Sequence, residues 1–334
     1  MTQRKVLAAL VAVGVLASTT AAHAQTGRAA APATAWADTQ AFVGFSANGA
    51  FFDNTYVMRG VWAAAADFSL ALRPRFRVHR MLQLRAYWGL SVAHTGDTTT
   101  RNEASLSDAT VALWFDGIPA VGGLRVDLAS WLTAPVSARS RANTMILGTG
   151  LLAQAHWNGQ ALGGTLRLIG RVGLTHLFHE YATPSVRGEL PYVRIGGAGQ
   201  LSGVTNVSDA LTWDLVVTQA WGMVSPGASF GMQHQWSLDV SPSSGGSSAL
   251  VGAYAQPQMR TYTSFALWLD VSPTSWLTLE AGYTLTRSLL DADGTYGDPF
   301  FARYQDWRVY LSASVVLDRL FDGRAHPERG IVRW

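Results

Sequence analysis

Apolar and polar positions alternate with a period of two through much of this chain. Leu82, Leu84, Ala86, Trp88, Leu90 and Val92 interleave with Gln83, Arg85, Tyr87, Gly89 and Ser91. Period two over that length predicts a β-strand with one apolar and one polar face. The same rhythm returns at 124–133, 166–175, 211–218, 263–271 and 308–317. Strands of about 11–15 residues exceed the usual 5–6 of globular sheets. They match the roughly 9–11 residues that cross a bilayer at a tilt, with short extensions. In lipid only a closed barrel leaves no backbone group unpaired.

The connections alternate in length as well. Tight ones fall at 78–81, 116–123, 158–164, 203–209 and 272–275, and longer polar ones at 95–105, 137–143, 181–189, 225–233 and 290–302. Short turns on one rim and long loops on the other suit an all-β, transmembrane, antiparallel up-and-down barrel over 40–318. The tracing predicts about 14 strands, within a range of about 12–16, with both termini on the short-turn side. Phe115, Trp157, Phe178, Trp213 and Trp236, near strand ends, would form interfacial girdles. A soluble β-sandwich or lipocalin-like barrel is the competing fold, and it predicts short strands and a charged exterior.

Composition sharpens this picture. Charged residues make up 14% and apolar ones 48%, against about 25% charged in a typical soluble domain. The chain has no cysteine, which excludes disulfides, thiolate nucleophiles and cysteine-held metals. A net charge of +3 is too weak a field to capture nucleic acid. At the start, 1–5 is basic, 6–16 is apolar, and Ala22-His23-Ala24 forms a small-residue cleavage site. That reads as a secretory signal peptide over 1–24, followed by a flexible lead-in over 25–39. Its apolar run is too short to span a bilayer. Residues 319–334 read as a tail on the short-turn side.

Over the mature chain this organisation resembles the outer-membrane β-barrel proteins of Gram-negative bacteria. More locally, Asn54-Thr55-Tyr56-Val57-Met58-Arg59-Gly60-Val61 is similar to the opening Asp/Asn-Tyr-x-Phe-Arg-Gly-Val/Ile segment of the TorF-like family of outer-membrane proteins. Here Met58 stands before Arg-Gly where that family has an aromatic. The resemblance implies insertion in the outer membrane. Many barrels also end on an aromatic that the assembly machinery reads. Trp334 is terminal and aromatic, but Gly330 and Arg333 interrupt a strand there. The last strand is therefore placed near Leu317.

The polar faces collect Arg85, Arg125, Arg167, Arg171, Arg194, Arg260 and Arg308, with Asp108, Asp127, Asp214, Asp239, Asp270 and Glu280. Such residues could line a pore whose opposed charges select small polar solutes. They could equally pair and help plug the lumen. His176 and His179 fall on opposite faces, with no nucleophile beside them, and read as interfacial polar residues rather than a catalytic pair. Asp291, Asp293 and Asp298 could hold calcium through oxygen ligands, or bond to their own turn. Whether a metal binds is open. The Ser/Gly-rich run at 241–248 lacks the Lys-Ser/Thr ending of a phosphate loop and reads as a hairpin connection.

The function expected is a passive, porin-like channel with no cofactor and no catalytic set. The alternatives are a closed structural or adhesive barrel with ligand-binding outer loops, and an outer-leaflet enzyme working through His179. Expected partners are outer-membrane lipids and lipopolysaccharide, the barrel-assembly machinery during biogenesis, and small polar solutes.

Overall fold

The computed structural model describes residues 36, 38–48, 66–95, 104–119, 123–180, 185–186, 200–201, 205–238, 259–290, 295–301 and 307–322. Its strands are β1 (Gln40–Asn48), β2 (Ala66–Arg73), β3 (Arg75–His79), β4 (Leu82–Thr95), β5 (Ala104–Leu106), β6 (Ala109–Pro119), β7 (Arg125–Ala134) and β8 (Met145–Ala161). They continue with β9 (Gly164–His179), β10 (Ser185–Val186), β11 (Gln200–Leu201), β12 (Val207–Ala220), β13 (Val224–Ser237), β14 (Met259–Val271), β15 (Leu277–Ser288) and β16 (Trp307–Val316). Two short helices, α1 (Ala138–Ala142) and α2 (Leu317–Asp322), follow β7 and β16.

Antiparallel pairing runs from β2 through β1, β16, β15, β14, β13, β12, β9, β8, β7 and β6 to β4, and β4 pairs back onto β2. The ladder is closed. β3 continues β2 past Pro74, which has no N–H to give the ladder, while the Pro74 carbonyl still accepts from Ala86 N at 2.9 Å. β5 leads into β6 on the same stave beside β4. The barrel therefore has twelve staves, at the lower end of the expected range rather than fourteen.

Two regions account for the difference. Of the turn expected at 203–209, Val207–Asp209 lie in β12, and the β10–β11 ladder between β9 and β12 pairs outside the barrel sheet. The loop expected at 225–233 lies inside β13. Its Ser-Pro-Gly composition resembles a turn, but packing requires its glycines in a strand. A Cβ on Gly227 would come within 2.3 Å of the Trp268 ring from the neighbouring strand. Tertiary packing overrides turn chemistry there.

The two rims differ as expected. One carries tight turns, including the Leu162–Gly163 reversal with positive φ at both residues, the geometry of a two-residue hairpin. The chain ends of the barrel lie on the same rim. Leu317 N donates to Thr39 O at 2.8 Å beside the β1–β16 seam. Arg319 then donates to Asp38 Oδ1 from Nη2 at 2.7 Å and to the Ser275 carbonyl at 3.1 Å. The other rim carries the long connections.

Alternation sorts the two faces. Outside, each stave exposes at least one large apolar side chain, among them Phe45, Leu70, Leu84, Leu113, Leu132, Leu151, Val172, Leu215, Val224, Leu267, Leu279 and Leu311. Leu215 is 58% and Leu311 61% exposed, values that would be costly in water over so large a continuous surface.

Candidate functional site

Register carries the inner wall from stave to stave. Arg85 faces Ala112, Ala112 faces Trp131, and Trp131 faces Gly150. The Trp131 ring lies so near Gly150 that a Cβ there would sit 2.1 Å from it. Aromatic bulk on one stave is thus matched by glycine on the next.

Several inward charges pair along the wall. Arg85 donates to both oxygens of Asp116, at 2.9 and 3.1 Å, while its guanidinium rests 4.0 Å above the Trp114 ring. Arg171 Nε donates to Asp214 Oδ1 at 2.7 Å. Arg308 reaches past β1 to Asp67 at 2.5 Å. Asp127 accepts from Gly117 N at 2.6 Å and Gln154 Nε2 at 3.1 Å, with His156 Nδ1 at 3.3 Å. Glu280 accepts from the Tyr310 hydroxyl. Arg260, Asp270 and Arg167 occupy inward register positions, opposite Gln235, Glu280 and Thr218 respectively. Arg125 lies exposed at the short-turn end, opposite His156. Arg194 and Asp239 lie outside the described residues.

Burial varies from stave to stave along the interior. Toward the short turns, Gln40, Arg75, Arg85, Trp114, Gln154 and Trp268 are buried, with Gln154 at 1% and Arg85 at 5% exposure. Arg75 Nη2 donates to Gln40 Oε1 at 3.3 Å within this layer. Toward the long loops, Thr286, Ser288 and Arg308 are exposed. Asn48, Ser208 and Ala210, also toward the long loops, are buried, so exposure there is confined to part of the wall.

A cavity of about 540 Å³ sits against β1, β2, β4 and β5, with α1 as its other border. Asp108 fixes α1. It accepts from Ser137 N at 2.9 Å and from the Ser140 hydroxyl, and Ser137 Oγ caps the helix by accepting from Ser140 N at 3.0 Å.

Sequence reasoning missed three arginines of this wall. Arg73, Arg75 and Arg77 alternate with Leu72, Phe76 and Val78, and their inward partners are Gln40, Arg85 and Gln83. The period-two signal was present, but Pro74 interrupts it. Arg73 lies 4.0 Å over the Phe42 ring and 5.5 Å from that of Tyr87.

The histidines diverge. His176 turns outward and bonds Asp209 at 2.7 Å. His179 places Nδ1 2.8 Å from the Asn143 carbonyl and Nε2 2.9 Å from the Val207 carbonyl. The two contacts set His179 between the C-cap of α1 and the start of β12. Asp298 accepts from Phe300 N at 2.8 Å and Phe301 N at 3.1 Å. Those two N–H groups hold its carboxyl below the usual carboxylate range. Asp291 and Asp293 lie outside the described residues, as do the 54–61 motif and the 241–248 run. Among the described residues no group of three or more potential metal ligands assembles.

A closed antiparallel ladder, apolar outside and charged inside, makes this a twelve-stave β-barrel. No protein-family model and no curated protein matches the sequence. Among solved structures the chain is similar to an outer-membrane channel from Pseudomonas putida F1, at 11% identity and a TM-score of 0.48, covering 88% of this chain and 99% of that one. It is also similar to the NanC porin, at 11% identity and 0.42, covering 83% and 98%. The β-domain of the Bordetella autotransporter BrkA matches at 11% and 0.41, covering 84% and 98%.

Proposed function

We propose that this protein is an integral outer-membrane barrel acting as a narrow passive channel for small polar solutes. One observation carries the membrane placement: the predominantly apolar exterior, with exposed large apolar side chains on all twelve staves. Soluble monomers rarely expose more than a few hundred Å² of contiguous apolar surface. A closed ladder satisfies the backbone without water, as lipid demands. The leader read at 1–24 and the barrel form together point to the outer membrane. The short-turn rim with both barrel ends then faces the periplasm, and lipid and lipopolysaccharide surround the belt.

The channel reading rests on the charged inner wall. Arg73, Arg75, Arg77, Arg85 and Arg167 gather toward the short turns, where Asp38, Asp116 and Asp127 are nearby carboxylates. Such a wall favours anions. No cofactor and no catalytic role enter this reading, in which His179 joins α1 to the start of β12. The buried layer around Gln40, Arg85 and Gln154 favours a second reading, a closed barrel that binds a ligand from its loop side.

Single-channel recording on the purified protein in a planar bilayer separates the two. Discrete conductance with anion preference that falls in Arg167→Glu supports the channel. A silent bilayer with correctly folded protein selects the closed barrel.

A further inference from the structure

We infer that the cavity between α1 and the inner wall is a binding site for a small organic anion. The site deepens the channel reading and rests on it for the ligand's route. Its volume, about 540 Å³, lies within the range of small-molecule pockets. Two arginines belong to its lining, Arg73 on β2 and Arg139 on α1. Arg73 is seated over the Phe42 ring and near Tyr87, which fixes its position without a long search of rotamers. Arg139 is exposed at the border. The one carboxylate in the lining, Asp108, is turned to Ser137 N and the Ser140 hydroxyl of the α1 segment. Its charge is therefore largely satisfied by the helix start. Ser69 and Ser91 add hydroxyls along the wall.

Small inward residues stand beside the larger Phe42, Arg73 and Tyr87 of the lining. Among them, Gly44, Ala71 and Gly89 stand on adjacent staves. Guanidinium pairs bind carboxylate or phosphate in bidentate fashion. The ligand class is a small polar molecule bearing one such group, held by Arg73 and Arg139.

Calorimetric titration of the folded barrel in detergent tests this, with succinate, glycerol phosphate and choline as probes. Saturable binding of succinate or glycerol phosphate is expected, with none for choline, and the better anion identifies the acidic group. Arg73→Gln and Arg139→Gln are each expected to weaken binding about tenfold or more. Arg139→Gln lies on an exposed helix, so its folding, checked by gel mobility without boiling, does not depend on the wall. The absence of anion binding, or binding unchanged in folded Arg139→Gln, overturns the site. The same preparations in a planar bilayer keep the two readings apart. Conductance without anion binding removes this site and leaves the channel, while anion binding with a silent bilayer does the reverse.

Discussion

Arg171 and Asp214 meet at 2.7 Å on neighbouring staves, so the bond runs along the wall and not across the lumen. Pairs of this kind neutralise charge locally while leaving the cross-section to be shaped by longer side chains. Replacing Asp214 with Asn leaves Arg171 uncompensated. The reversal potential under a salt gradient is expected to move toward stronger anion preference, and Arg171→Gln to move it the other way. Equal shifts in one direction for both variants would contradict the pairing.

The outer and inner faces differ in their tolerance of charge. Arginine at Leu84, Leu168 or Leu267, all exposed outward, is expected to cost about 2–4 kcal/mol if the position lies near mid-bilayer. Arginine at inward Gln83 should cost far less. Urea titration of folding into lipid vesicles reads both.

Close packing of aromatic on glycine sets a sharper test. Gly227→Ala places a methyl 2.3 Å from the buried Trp268 ring. Overpacking of this type destabilises by about 1–3 kcal/mol, measurable as a lower temperature for loss of the compact gel form. Gly170→Ala, whose Cβ would lie 3.6 Å from the Leu215 side chain, is the matched control and is expected to be mild.

Asp298 gives the connection before β16 a pH dependence. Its folded-state carboxyl is held down by the N–H groups of Phe300 and Phe301, so the stabilisation is complete above the ordinary carboxylate value. It is lost as pH falls through the lower, folded value. Phe300 packs on Phe265 with centroids 5.1 Å apart, so acidification should loosen that contact. Amide exchange in residues 295–301 is expected to rise at acid pH in the native chain, and to be high at all pH values in Asp298→Ala.

Topology can be read by labelling, since the chain has no native cysteine. Thr295→Cys is expected to react with an impermeant maleimide on intact cells, and Gly117→Cys only after the outer membrane is opened. The reverse pattern would invert the barrel.

Much of the wall was legible because lipid-compatible strands obey one rule, alternation, over long runs such as Leu82–Thr95. Faces were readable wherever that run was continuous. The tracing failed where local chemistry imitated something else. Pro74 hid the inward Arg73, Arg75 and Arg77, and the Ser-Pro-Gly start of β13 imitated a loop. The cavity was not legible at all. Its lining brings together residues far apart in sequence, such as Gly44, Ala71 and Gly89, and a helix whose position depends on Asp108. No spacing rule connects those positions; only closure of the barrel does.

Closure also imposes an order in time. β1 pairs with β16, joining Gln40 to Val316 across nearly the whole length of the barrel sequence. Until β16 is in place, β1 and β15 each present an open edge of unpaired backbone, which any neighbouring strand can invade. Local hairpins such as β8–β9 can form early, but the last seam must wait for the final segment. A chain cut before Trp307 is therefore not a slightly weaker barrel. It is a curved sheet with two adhesive borders, and its fate is to pair with another chain or be destroyed.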